Sequence, residues 1–350
     1  MTALASKRVT FAVLGAGRIG RMHANILLTM PHVRLKTILD KYKKTDWLAG
    51  NGANVEVTDD LDSILNDNEI NAIVIATSSS SHVALIEKIL PSGKDIFCEK
   101  PVSFSITELN RIKKKVQKAG IKFQIGFNRR HDPNIIELKR LITANQAGKL
   151  YMIKIKNRDP KRPPIDFIPK SGGMLFDFNV HDFDMIHFLS QTDIEKVYTV
   201  GANLIDPEIG KLGDIDTAII TLQLKNKALA TIDCSRETGY GYDQEIEVFG
   251  SNGSLKVQNL REHTLLTSHS NHVSIAHPKA NFIERYRTAY IIQLERFIDW
   301  VSGGTTTSAA TSHSHHEIGL HEGLRAVCVA EAASKSLKSG QPEQVLYDIA

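Results

Sequence analysis

The sequence predicts an α/β fold in two parts: a doubly wound parallel sheet over residues 1–126, then an α+β domain with an open, mainly antiparallel sheet over 127–350. Three observations predict it. Through the first third, short apolar runs alternate with helical patterns. A glycine-rich turn closes the first of those runs. Beyond residue 150, strand patterns follow one another with few helices between them. A chain of 350 residues is long enough for two such domains.

Taken in order, Val9–Leu14 is a β-rich run that ends at Gly15, and Arg18–Thr29 reads as a helix with Pro31 as its stop. Val33–Leu39 is a second strand, closed by Asp40. Residues 61–66 form a short helix, 72–76 a strand buried on both faces, 81–90 a helix, and Asp95–Cys98 a further strand. An amphipathic helix over 107–119 closes at Gly120, and 122–125 is strand again. Such alternation implies right-handed βαβ units and a sheet covered on both faces. In the second part, 151–156, 196–203, Thr217–Leu224, 228–235, 245–249 and 255–258 read as strands. The turn signals Lys225-Asn226-Lys227 and Gly250-Ser251-Asn252-Gly253 join the later ones as in a meander. Helical patterns flank this sheet at 177–189 and 285–301, and a last one spans 323–336.

Composition narrows the function classes. The chain is 42% hydrophobic and 23% charged, as ordinary globular proteins are. A formal net charge of +4, with no dense Lys/Arg block interleaved with aromatics, argues against nucleic acid. Lys113-Lys114-Lys115 is read as a solvated helix face. No stretch approaches the ~20 apolar residues of a membrane span, so no membrane partner is expected. The run into Gly15 leaves no room for a signal peptide pattern. Cys98, Cys234 and Cys328 lie far apart without metal-ligand spacing, which fits a reducing compartment; a cytoplasmic protein is expected. The stretch 303–316, with His313-Ser314-His315-His316, reads as a mobile surface loop and not as a metal site, because no acidic or cysteine ligand stands at a fixed offset.

Gly15-Ala16-Gly17-Arg18-Ile19-Gly20 is a G-x-G-x-x-G that follows a strand and opens a helix, the context that makes it a dinucleotide-binding (Rossmann) fingerprint. Gly15 permits the tight turn, Gly17 lets a pyrophosphate approach the backbone, and Gly20 lets helix and strand pack closely. The helix begun by Arg18 and Ile19 offers its first N–H groups to the phosphates. Asp40 stands where the motif expects an acid for the adenine ribose hydroxyls. A carboxylate there repels a 2′-phosphate, so NAD is expected over NADP, a preference that Lys41, Lys43 and Lys44 soften. Thr77, Ser79 and His82 follow the next buried strand and are candidate cofactor contacts; Ser81 also suits a helix cap. Glu99-Lys100-Pro101 follows a strand at the same edge, where Lys100 offers a cation that can hydrogen-bond a substrate hydroxyl.

A second cluster runs from Gly172 to Asp184. Asp177 and His181 are four apart, a spacing that puts them on one helical face. A carboxylate beside an imidazole suits a general base for alcohol oxidation. Two other readings stand beside it: Asp177 as an acid at a helix N-terminus, and Asp177, His181 and Asp182 or Asp184 as metal ligands.

Gly15–Gly20, Glu99-Lys100-Pro101, Gly126-Phe127-Asn128-Arg129-Arg130 and 172–181, in this order, resemble the Gfo/Idh/MocA family of oxidoreductases, and within it the inositol 2-dehydrogenases. The resemblance covers nearly the whole chain. It implies an N-terminal Rossmann domain and a C-terminal sheet whose open face supports a homo-oligomer, a dimer or tetramer. It implies Lys100, Asp177 and His181 as the catalytic set, with Glu99 and Lys100 at the cofactor and Arg129, Asp159 and Tyr240 joining Lys100, Asp177 and His181 around the substrate. The implied reaction is NAD-dependent oxidation of a secondary hydroxyl of a cyclic polyol, myo- or scyllo-inositol, to an inosose, a step of inositol catabolism with no metal. The rivals on the same scaffold are an aldose or other sugar dehydrogenase, an NAD-dependent glycosidase and a non-catalytic NAD-binding sensor. The sensor ranks last because the Lys100, Asp177 and His181 set is intact. Two departures stand out: Asn128 where related enzymes carry an apolar residue, and the His-rich stretch near residue 313.

Overall fold

The computed structural model describes residues 8–42, 46–48, 54–303 and 318–347. Most of the His-rich stretch, and Lys43 and Lys44, lie outside the described residues. The chain divides into two compact units, Met1–Phe127 with Tyr290–Leu324, and Asn128–Ala289 with Arg325–Ala350. A single boundary at 126/127 therefore leaves out one feature: the chain returns to the first unit near its C-terminal end.

The first unit is a six-stranded parallel sheet of β1 (Val9–Leu14), β2 (Val33–Leu39), β3 (Glu56–Thr58), β4 (Ala72–Ile75), β5 (Asp95–Cys98) and β6 (Phe123–Ile125), in the order β3-β2-β1-β4-β5-β6. Every residue of β1 and β4 is buried, which is why these strands are uninterrupted apolar runs without alternation. The helices Arg18–Thr29, Ser79–Ile89 and Ile106–Ala119 cross between strands. The last starts where Ser105 accepts the Glu108 N–H at 3.3 Å and stops at Gly120 in the left-handed region. Phe11, Val13, Val74 and Phe97 form the core with Leu294 and Phe297. Phe297 sits 5.8 Å from the Phe97 ring and 6.2 Å from Phe11. That contact explains why residues 290–324 group here. Strand order reverses between β1 and β4, and ligands of such sheets bind beyond the carboxyl ends at that switch.

The second unit is a seven-stranded sheet. Its strands are β7 (Leu150–Arg158), β8 (Ile194–Ala202), β9 (Thr217–Leu224), β10 (Leu229–Ser235), β11 (Asp243–Gly250), β12 (Gly253–Val257) and, after the separate hairpin β13 (Leu266–Ser268) and β14 (Val273–Ile275), β15 (Glu343–Gln344). The order is β12-β11-β7-β10-β9-β8-β15. All neighbours run antiparallel except β7 and β10, which are parallel. Ile153, Ile155, Ile220 and Ile232 face the core, where the helix Val180–Ser190 packs on β7. The opposite face exposes Tyr198, Val200, Ile219, Leu229 and Phe249.

Three local differences have physical causes. The expected helix from 177 is split: Met174–Asp177 forms one turn, and Val180–Ser190 begins after Phe178 and Asn179, whose N–H groups both reach back to the Met174 carbonyl at 3.0 Å. The helix expected from 81 starts at Ser79, with Ser81 bonding the Ser78 carbonyl at 2.8 Å from within the first turn. Pro133–Thr143 is an unanticipated helix, although its start signals are explicit: Asp132 caps the N–H groups of Asn134 and Ile135, and Pro133 is the first helical residue. Among the described residues, no helix is long and apolar enough to cross a membrane.

Candidate active site

At the end of β1, Gly15 turns with φ of +94°, and an added Cβ would stand 2.8 Å from the Ala76 carbonyl oxygen. Gly20 is tighter still: a Cβ there would fall 1.8 Å from the Gly15 oxygen. Gly17 differs in kind. Its φ of −70° suits any residue, and an added Cβ meets nothing within 4 Å. The fold does not require a glycine at 17, whereas a pyrophosphate seated against that backbone would, so the turn fits a dinucleotide. No side chain caps the helix that Arg18 and Ile19 begin, which leaves its positive end for phosphates. Gly20→Ala is therefore expected to cost about 1–3 kcal/mol of stability. Gly17→Ala should leave the melting temperature unchanged yet weaken NAD binding by about tenfold or more. Thermal melts beside fluorescence titration with NAD check both halves.

Asp40 ends β2 with both carboxylate oxygens in use: Oδ2 accepts the Ala16 N–H at 3.0 Å and Oδ1 the Tyr42 N–H at 2.9 Å. It thus ties the strand end to the glycine turn, and each oxygen keeps a lone pair for a ribose hydroxyl.

The strand ends beyond β4 and β5 carry the other candidates. Thr77 Oγ1 lies 2.7 Å from Ser81 Oγ, and Ser79 opens the helix. His82, by contrast, is 1% exposed, with Nδ1 2.9 Å from the Pro101 carbonyl oxygen and Nε2 3.2 Å from that of Thr77. Both ring nitrogens lie within hydrogen-bond reach of a main-chain carbonyl, and a neutral imidazole donates to one of them. Burial lowers its pKa, although the two carbonyls oppose that. Glu99 Oε1 lies 2.7 Å from Nε2 of the buried His23, and its Oε2 accepts the Lys100 N–H at 3.3 Å. The Lys100–Pro101 peptide is cis. His23, on the dinucleotide helix, thereby links that helix to the segment bearing Lys100; nothing in local sequence spacing signals this pair.

In the second unit, Asp177 closes the turn Met174–Asp177 and His181 lies in the first turn of Val180–Ser190. Both side chains are partly exposed. Beneath them is a buried polar network. Asp182, fully buried, accepts from Arg129 Nη1 at 2.6 Å, Asn157 Nδ2 at 2.7 Å and Asn179 Nδ2 at 3.0 Å. Arg129, 4% exposed, lies over the Tyr286 ring. Burial works to lower its pKa, but Tyr286, Tyr242 and Asp182 outweigh that and hold it above the ordinary value. Arg130 makes its own buried pair with Asp184 at 2.6 Å. Asp182 and Asp184 are thus committed to guanidinium groups, and among the described residues no three His, Cys, Asp or Glu side chains are grouped to hold a metal.

Asp159 follows β7, its N–H bonded to the Ser235 carbonyl at 2.9 Å. Tyr240 is 40% exposed; its hydroxyl donates to Asp243 at 2.5 Å and accepts from Arg158 Nη1 at 3.0 Å. Partial burial and the Asp243 carboxylate raise its pKa, so it is a neutral donor at ordinary pH. Two residues escaped sequence reasoning altogether: Arg236, 3.9 Å from Asp177, and Asp214, 3.2 Å from Arg236. They come from the segments before β9 and after β10, far from residue 177 in sequence, and no periodicity announces them.

Residues 9–127 match the model of an oxidoreductase family with an NAD-binding Rossmann fold, and 135–256 match a GFO/IDH/MocA C-terminal domain. The chain is 36% identical over 341 residues to YrbE, an uncharacterized oxidoreductase of Bacillus subtilis, covering 97% of each protein. It is 35% identical over 327 residues to myo-inositol 2-dehydrogenase of Thermotoga maritima, covering 93% of this chain and 95% of that one. Among solved structures, scyllo-inositol dehydrogenase from Lactobacillus casei with bound NAD(H) and scyllo-inositol superposes with a TM-score of 0.86 at 25% identity, over 97% of this chain and 99% of that one.

Proposed function

The chain belongs to the GFO/IDH/MocA family of NAD-binding oxidoreductases, and from that premise we propose that it oxidises a secondary hydroxyl of an inositol, myo- or scyllo-, to the inosose. One observation carries the reading: similarity to inositol 2-dehydrogenases runs along nearly the whole length of a chain that contains Lys100, Asp177 and His181. NAD, when bound, supplies the hydride acceptor. His181 takes the proton of the reacting hydroxyl, a task suited to imidazole near neutral pH. Asp177 holds the imidazole and stabilises its protonated form. Lys100 donates to the reacting oxygen and fixes its position. Arg129, Asp159 and Tyr240 bind the remaining hydroxyls. A ring bearing a hydroxyl on every carbon satisfies such groups, while an analogue lacking one leaves a donor unpaired.

The cofactor is held by Gly15, Gly17 and Gly20 with Arg18 and Ile19 at the helix start, Asp40 at the ribose, Thr77 and Ser79 along the next strand end, and Glu99 and Lys100 beyond. His82 supports this edge from behind. The exposed Tyr198, Val200, Ile219, Leu229 and Phe249 on one face of the second sheet support a homo-oligomer, a dimer or tetramer, and the three free cysteines support a cytoplasmic location.

The test is NADH formation at 340 nm with NAD or NADP against myo-, scyllo- and D-chiro-inositol, glucose and xylose. Activity on an inositol with NAD is the expected outcome. Activity confined to glucose or xylose would replace the polyol by a sugar. NAD binding without net NADH on any of them would point to the glycosidase or sensor alternatives.

A further inference from the structure

Arg236 heads the fully buried side chains ranked by volume, at 1% exposed, and it carries a charge. Taking a guanidinium out of water is costly unless carboxylates meet it. Two do, at different nitrogens: Nη2 lies 3.2 Å from Asp214 Oδ2 and Nη1 lies 3.9 Å from Asp177 Oδ2. The contact to Asp214 is a hydrogen bond, and the contact to Asp177 is an ion pair longer than one. Asp214 is itself fastened. Its two oxygens lie 2.9 and 3.1 Å from the Met174 N–H that they accept, at the first residue of the turn that ends in Asp177. Gly173 makes the room: it turns at φ of +84°, and a Cβ there would stand 2.8 Å from Asp214 Oδ1. The turn is therefore hydrogen-bonded at its start by Asp214, and the charge of Arg236 stands beside the carboxylate at its end. Arg236 is held in turn by its own N–H, which donates to the Asp216 carbonyl at 2.8 Å. Of the three side chains, Asp177 is the most open, 23% exposed against 11% for Asp214.

We infer that Arg236, braced by Asp214, is a positioning residue that aims the Asp177 carboxylate for its work beside His181. The inference rests on the reading of Asp177 and His181 as residues of the reaction centre. Arg236 is too deeply buried to touch substrate, so its loss acts on turnover and not on ground-state binding. R236M keeps an unbranched apolar stem but removes the charge, whereas R236K keeps the charge and loses the planar fork.

The test is a double-mutant cycle on the full-length enzyme, with R236M, R236K, D177N and the D177N/R236M double variant assayed on NAD with myo- and scyllo-inositol. R236M is expected to lower kcat by about 30–100-fold with KM changed by less than about threefold, and R236K to recover part of the loss. In the D177N background the same R236M change should cost less than about threefold, because the residue it acts through is already disabled. An equal loss from R236M in both backgrounds would show that Arg236 supports the fold and not Asp177, and wild-type turnover in R236M would overturn the inference outright. If R236M does not fold, R236K completes the cycle with the same expected non-additivity. Wild-type turnover in D177N would instead remove Asp177 from the reaction centre, and the role of Arg236 would fall with it.

Discussion

His181→Ala is expected to lower kcat for inositol oxidation by about 10²–10⁴-fold while NAD affinity stays within about twofold. The hydroxyl proton of an alcohol is not lost unaided near neutral pH, and imidazole is the one side chain of the cluster whose ordinary pKa makes it a ready acceptor there. His181 lies in the second unit, whereas the glycine turn and Asp40, proposed to hold the dinucleotide, lie in the first. Its removal therefore leaves the cofactor's own contacts intact. Lys100→Ala should act similarly on kcat, with part of the loss in KM, because in the proposed mechanism Lys100 also holds the ground-state hydroxyl. Steady-state rates at 340 nm, with NAD affinity from fluorescence titration, separate the two effects. Near-normal turnover in His181→Ala would assign the proton to another group.

Asp182→Ala carries the largest expected stability effect, about 3–5 kcal/mol. The carboxylate is fully buried and receives three donors, Arg129, Asn157 and Asn179. Removing it leaves the guanidinium of Arg129, itself only 4% exposed, inside the protein without its counter-charge. The exposed pair of Arg140 and Glu137, 51% and 54% open, offers the control. Breaking it should leave the urea midpoint close to that of the unmodified protein, since water screens both charges. Urea denaturation of the two variants measures the contrast. A loss under about 1 kcal/mol in Asp182→Ala would mean that the network is not what holds Arg129 in place.

Much of the first unit was legible because its signals are local. β1 and the last three residues of β5 are apolar runs, β2 begins with apolar and charged residues in alternation, and the glycine turn lies between a strand and a helix, where its meaning is specific. Asp40 could be placed by counting along the chain. Lys100, Asp177 and His181, the residues proposed to carry the chemistry, stand in motifs that can be read along the chain. What holds them was not legible. Glu99 was recognised, but its partner His23 is 76 residues away. Arg236 and Asp214 lie dozens of residues beyond the Asp177 turn they meet, and a lone Arg after a strand reads as solvent-exposed until the fold buries it. His82 was read as a cofactor contact from its place after a strand; its burial beside the carbonyls of Thr77 and Pro101 is not visible in that spacing. The break at Phe178 and Asn179 escaped notice because both residues keep right-handed helical dihedrals. The parallel pairing of β7 with β10 joins strands 70 residues apart, a choice that alternation of apolar residues cannot encode.

The most direct test of the account is the fate of the hydrogen on the ring carbon. myo-Inositol and scyllo-inositol, deuterated at every carbon, are incubated with the enzyme and NAD, and the reduced cofactor is weighed by mass spectrometry. Direct transfer to NAD predicts NADH one mass unit heavier than that formed from the unlabelled polyol, accompanied by an inosose in equal amount. NADH of ordinary mass, or consumption of polyol with no net NADH, would contradict it.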